Sequence, residues 1–110
     1  KMRKIEEKMV NAIMNGKNFR QSNTEVKVFD KYIDVLLHGN LIARIDTTTN
    51  PYVMKVDNCG WYSVTTKSRL NALGCNIVQR DWDWYNIDKD GVLSDFKDGQ
   101  QVEFLDGKIF

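Results

Sequence analysis

Proline and histidine each occur once in the 110 residues, and cysteine twice. One proline leaves no material for a Pro-rich linker. Two cysteines, Cys59 and Cys75, are too few for a disulfide scaffold, so both are read as reduced, small, buried residues. With His38 the only histidine, the cysteine and histidine set falls short of the four ligands of a zinc site. No metal and no other cofactor is expected. Apolar runs are short: Val35-Leu36-Leu37 is far below the roughly 20 residues that cross a bilayer. With no Arg-rich or apolar leader either, neither a membrane partner nor an export signal is expected. An excess of charge of one sign is missing too. Sixteen Lys and Arg face fifteen Asp and Glu, a net +1 that makes no bulk electrostatic case for a polyanion. Catalytic signatures are scarce: Ser22, Ser63, Ser68 and Ser94 lack a nucleophile elbow, and no Gly-rich phosphate loop occurs. These absences point away from an enzyme.

What remains is the composition of a soluble globular chain, 42% hydrophobic and 28% charged. Its length fits one domain over residues 1–110, burying about two-thirds of the surface its unfolded chain exposes. Charge is unevenly placed. Residues 1–27 hold seven Lys and Arg against three Glu, whereas residues 80–110 hold four against eight Asp and Glu. Such halves steer a charged partner or attract each other in the fold.

Periodicity predicts a helix over Arg3–Asn15, with Ile5, Met9, Ala12 and Ile13 on one face, Val10 and Met14 beside them, and Gly16 as the stop. Strands are predicted at Thr24–Val28, Tyr32–Leu37, Leu41–Ile45 and Tyr52–Val56, with a tight turn at His38-Gly39-Asn40. Thr65 or Thr66 is expected to cap a short second helix, Lys67–Leu73, which Gly74 ends. Beyond it come Asn76–Gln79 and Trp82–Ile87 as a hairpin around Arg80-Asp81, and Gln101–Leu105 with Lys108–Phe110 as another. The order is α-β-β-β-α-β-β with C-terminal hairpins: an α+β domain, its two helices packed on an antiparallel sheet.

Three constellations bear on function. In the first turn of the second helix, Lys67 and Arg69 stand where the helix dipole is already positive, at a cost of roughly a few tenths of a kcal/mol. With the hydroxyls of Thr65, Thr66 and Ser68 and the free N–H groups they compose an anion site suited to phosphate. On this reading charge reversal at both cations leaves stability unchanged or raised. The competing reading pairs Arg69 with a carboxylate such as Asp57 or leaves both cations in water. Second, Trp82 and Trp84 alternate and so share a sheet face, where they stack bases, anchor a protein partner or cover the core. Third, Asp81 and Asp83 are also two apart. The run Asn86 to Ser94 partly matches a calcium loop but carries Lys97 where a bidentate Glu belongs, so it reads as an Asp90-Gly91 hairpin turn.

Leu37-His38-Gly39-Asn40-Leu41-Ile42-Ala43 and Thr65-Thr66-Lys67-Ser68-Arg69-Leu70-Asn71-Ala72-Leu73 resemble segments of a widespread set of small proteins of tailed bacteriophages. Gly16-Lys17-Asn18-Phe19, Asn23-Thr24 and Trp84-Tyr85 extend the likeness, which covers roughly residues 3 to 85. The resemblance implies a phage product acting in the cytoplasm of the infected bacterium, and carries no catalytic residue with it. The leading expectation is a small accessory protein that binds nucleic acid or another phosphate-bearing anion through Thr65 to Arg69. The rival expectation is a modulator of a host or phage protein, bound through the Trp82 and Trp84 face. A metal-binding or catalytic use of the acidic turns ranks below both.

Overall fold

The apolar stripe near the chain's start makes a helix. In the computed structural model, which describes residues 2–104, α1 spans Lys4–Met14 and buries Met9, Val10 and Ile13. Met14, at the edge of the stripe, is exposed. Gly16 leaves the helix at φ +61°, a backbone region that glycine enters without the Cβ penalty. Strands follow as β1 (Phe19–Gln21), β2 (Thr24–Val28), β3 (Tyr32–Leu37), β4 (Asn40–Asp46) and β5 (Val53–Val56). Next come α2 (Val64–Leu73), β6 (Ile77–Arg80), β7 (Asp83–Ile87), β8 (Leu93–Asp95) and β9 (Gln100–Glu103).

The first five strands form an antiparallel meander, and β9 returns from beyond α2 to pair with β5, giving the order β1-β2-β3-β4-β5-β9. Register explains why one face is dry. Val26, Val35, Ala43 and Val56 lie directly opposite one another across four strands, as do Ile33, Ile45 and Met54 across three. All seven are buried on the side that receives the helices. One residue away, Lys27, Asp34, Arg44, Lys55 and Gln101 line up on the other face. There Arg44 holds Asp34 with two hydrogen bonds, 2.8 and 2.9 Å, and lies over the Tyr32 ring at 4.5 Å. The β3–β4 turn is a two-residue hairpin loop with His38 at φ +51° and Gly39 at φ +77°, both left-handed as a type I′ turn requires.

Helix α2 docks by Leu70 and Leu73, both fully buried. Each contributes about 1.5–3 kcal/mol of burial, which a ten-residue helix needs because it is marginal alone. The remaining strands form a separate three-stranded sheet, β6-β7-β8.

One strand was not predicted, and one expectation is corrected. The segment Phe19–Gln21 is a strand, folded onto β2 by a turn with Ser22 at φ +53°. Gln100–Glu103 pairs with β5, and its expected hairpin partner Lys108–Phe110 lies outside the described residues. Trp82 and Trp84 do not share a face. The β6–β7 turn is Asp81-Trp82, with φ +49° and +74°, so Trp82 sits at the tip and is 86% exposed. Trp84, inside β7, is buried with edge-on contacts to Tyr62 and Phe96.

Candidate site at the start of the second helix

Helix α2 begins three residues before the sequence predicts. Ser63 is its cap: the Oγ accepts the Thr66 N–H at 3.1 Å and shares a 2.8 Å hydrogen bond with Thr66 Oγ1. Thr66 is thereby buried and satisfied. Lys67 falls one turn into the helix, where its N–H bonds to Ser63 O. The five residues expected to form one anion site are therefore divided among three surroundings.

Arg69 and Ser68 turn toward α1. Arg69 is 3% exposed and Glu6 2%, and Nη1 lies 2.7 Å from Glu6 Oε2. Arg69 Nε donates to Thr24 Oγ1 at 3.0 Å and Nη2 to Asn23 Oδ1 at 3.2 Å. Ser68 Oγ donates to the same Glu6 oxygen at 2.6 Å, while Glu6 Oε1 accepts the Arg3 N–H at 3.1 Å. Burial alone raises the Glu6 pKa, but the bonds from Ser68, Arg3 and Arg69 and the Arg69 charge outweigh it and hold the carboxyl below its ordinary range. The guanidinium thus ties α1, β2 and α2 together. This overturns the reading of Arg69 and Ser68 as anion ligands. The pairing alternative is right in kind, but its carboxylate is Glu6 rather than Asp57. Removing one partner of such a buried pair costs about 3–5 kcal/mol, so charge reversal at Arg69 is not neutral for stability.

Lys67 lines a shallow groove between the two helices, with Arg3, Asn71 and Met2. Thr65 faces the other way. It lines a cleft of about 540 Å³ in front of the α2 N-terminus, together with His38, Asn40, Asn58, Trp61 and Ser63. Leu37 and Ile42 supply its apolar wall. The β3–β4 hairpin tip brings His38 and Asn40, the loop after β5 brings Asn58 and Trp61, and α2 brings Thr65, so segments distant in sequence converge. Among the described residues, none that lines it is acidic.

Asn58 is the informative member. It is 1% exposed. Its Oδ1 accepts the Gly60 N–H at 2.8 Å, which fixes the amide's orientation, and its N–H donates to Asp98 Oδ1 at 3.0 Å. Nδ2 has no partner. Trp84 Nε1 is the other such buried side-chain nitrogen among the described residues, and Trp84 does not line the cleft. An unsatisfied buried donor costs about 1–3 kcal/mol, and this nitrogen has almost no accessible surface, so the cost falls on the fold. Above the cleft Trp61 is 61% exposed, and Tyr62 and Val64 beside it are exposed as well.

The sequence reading missed Asn58, Asn40 and Ser63 as site residues and left Trp61 out of the stacking pair. Ser63 was legible, because a Ser followed by a Val-Thr-Thr helix start is a standard cap. Asn58 was not, since its backbone N–H is held by Asp98, 40 residues away.

The remaining candidates do not assemble. Asp81 lies in a left-handed turn and Asp83 opens β7, so they do not form a pair on one strand face. Asp88 Oδ1 accepts the N–H groups of Asp90 and Val92, each at 2.9 Å, as in a hairpin turn. Among the described residues no group of three or more His, Cys, Asp or Glu is placed to hold a metal. Cys75 is buried, which pushes its thiol up to about 12. Cys59 is only half-buried, contrary to expectation, and its thiol is raised by burial and then by Asp57. No helix among the described residues is long and apolar enough to cross a membrane.

Comparison with known proteins adds one finding. A family model described as the Kyanoviridae Gp96 protein matches residues 2–103. No curated protein and no solved structure matches.

Proposed function

The chain belongs to the Kyanoviridae Gp96 family of phage proteins, and from that premise we propose that it is a small accessory protein that holds one phosphate-bearing group in the cleft at the α2 N-terminus. It acts by binding and not by catalysis, in the cytoplasm of the infected host. The observation that carries this reading is a cleft that receives the start of α2 and is lined, among the described residues, by the polar side chains of Asn40, Asn58, Ser63, Thr65 and Thr66 and by no acidic one. A helix N-terminus presents free N–H groups and a partial positive charge, so an anion is stabilised there by about 0.3–1 kcal/mol from the dipole alone.

Charge decides the size of the ligand. A nucleic-acid tract is held by Lys and Arg on successive phosphates. Arg69 is closed inside the fold, and among the described residues no Lys or Arg lines the cleft. A single phosphate group is what the remaining donors suit. The test is equilibrium titration of the protein with inorganic phosphate, a nucleoside monophosphate and a short single-stranded oligonucleotide, at low and high salt. Saturable binding with weak salt dependence is expected, because no counterion-releasing cation lines the cleft. Failure of all three to bind overturns the reading.

A second reading rests on Trp61, Tyr62 and Val64, which are 61%, 53% and 63% exposed in one short stretch. A protein partner seated there replaces the rival surface on Trp82 and Trp84, of which only Trp82 is accessible. Capture of a protein that phosphate does not displace, and that Trp61→Ala releases, favours this alternative.

A further inference from the structure

We infer that the chain associates with a second copy of itself, head to tail: the Asp81-Trp82 tip of one copy enters the groove between α1 and α2 of the next. The contact is independent of the phosphate reading, because Lys67, at the groove, and Thr65, at the cleft, lie on different sides of α2.

The tip is a protruding element. Two residues join β6 to β7, so the hairpin end is narrow enough to enter a groove. Among the described residues no large apolar side chain is more exposed than Trp82. Its backbone is held at φ +74°, which costs a residue other than glycine about 1–3 kcal/mol. Tryptophan is enriched among the few residues that carry most of an interface's energy, where the partner covers the ring. Charge narrows the choice of partner. Asp81 and Asp83 flank the ring, both exposed and without an ion-pair partner among the described residues. Arg80 beside them donates to Gln79 O at 3.3 Å. The tip is net negative, which repels a polyanion and suits an apolar pocket with a cationic rim.

The interhelical groove has that make-up. Its volume is about 410 Å³, and Met2, Val64 and Ala72 give it apolar surface. Arg3 and Lys67 also line it, and neither has an ion-pair partner among the described residues. Glu6 lines it too, but Arg69 neutralises its carboxylate, which also accepts from Ser68 and the Arg3 N–H. The groove thus offers apolar surface beside two cations, and the tip offers an indole flanked by two carboxylates. The wider charge pattern runs the same way. Arg3, Lys4, Lys8, Lys17, Arg20 and Lys27 are all exposed, and among the described residues none pairs with an acid from Asp81 onward. The basic start and the acidic end of the chain form no ion pair within the fold, which leaves them open to attraction between copies. A contact between two different surfaces is heterologous, so it propagates into a ring or a chain of copies.

The test is sedimentation velocity on the whole chain, from micromolar to about 1 mM protein, at low and high salt. Concentration-dependent association is expected, weakened several-fold by salt because exposed charge pairs are screened. Trp82→Ala should weaken it at least about 30-fold, as loss of an interface hot spot does, and Lys67→Glu about tenfold or more. Neither side chain is buried. The decisive arm mixes the two variants. The Trp82→Ala copy keeps its groove and the Lys67→Glu copy keeps its tip, so the mixture should form 1:1 dimers that grow no further. A chain that stays monomeric at about 1 mM and low salt overturns the inference. So does association that Trp82→Ala leaves unchanged, and so does a mixture of the two variants that fails to pair.

Discussion

The two sides of α2 carry similar polar residues to opposite ends. Toward α1, Ser68 and Arg69 meet Glu6, and each of the Arg69 nitrogens Nε, Nη1 and Nη2 donates a hydrogen bond. Toward the β3–β4 hairpin, Asn58 keeps a donor with no acceptor among the described residues, and Trp61 is largely exposed. The first side holds the charge, the second the unused bonding capacity. A formal charge is a poor guide to a ligand site once the fold has neutralised it.

The comparison breaks most visibly at Arg69. Arg69→Ala should destabilise the protein by about 3–5 kcal/mol, because Glu6 is left as an uncompensated buried charge. Chemical denaturation measures this, and adding Glu6→Leu to Arg69→Met should restore most of the loss. A change below about 1 kcal/mol for Arg69→Ala would place the guanidinium in water and reopen the anion reading on that side.

Glu6 was invisible as a partner from the sequence because 63 residues separate it from Arg69. The cations looked like an anomaly of the helix start only while their neighbours on α1 and β2 were unknown. Elements set by local pattern were legible. The stripe of Met9 and Ile13 and the alternation of Thr24, Val26 and Val28 match the observed burial. So do the His38-Gly39 turn and the stop at Gly74. Alternation failed at Trp82 because it assumes a continuous strand. The chain instead turns at Asp81-Trp82, a sequence without the Asn-Gly or Asp-Gly signature of such turns. The cleft was illegible for the same reason as Glu6: three distant segments build it.

Trp84 and Trp82 give a second contrast, between a packed ring and an exposed one. Trp84→Ala should cost about 3–5 kcal/mol, since it empties a site packed by Tyr62 and Phe96. Trp82→Gly should instead stabilise by about 1 kcal/mol, because φ +74° strains a bulky side chain and suits glycine. Thermal unfolding separates the two, and a loss on Trp82→Gly would assign the exposed ring a contact within the fold.

Acid should act on the α1 side specifically. The Glu6 pKa is depressed in the fold below its ordinary value of 4.5. Its contribution is therefore complete above that value and is lost as the pH falls through the folded one. Stability measured from neutral pH down to about pH 3 should decline less steeply in Glu6→Gln than in the parent, although the variant starts lower. Equal slopes would mean that the carboxyl gains nothing from Ser68, Arg3 and Arg69.

The smallest effect is expected at Lys67, which lines the groove without an ion-pair partner among the described residues. Lys67→Ala should change stability by less than about 0.5 kcal/mol and leave ligand affinity at the cleft unaltered. A marked loss of affinity would move the binding site to the interhelical groove.

The most direct measurement is a ¹H–¹⁵N NMR titration that resolves side-chain amides, indoles and the Arg69 Nε–H while a nucleoside monophosphate is added. The account predicts that the Asn58 amide and the Trp61 indole shift together while Arg69 stays in place. Shifts confined to Arg69, Lys67 and Arg3, with Asn58 and Trp61 unmoved, would contradict it.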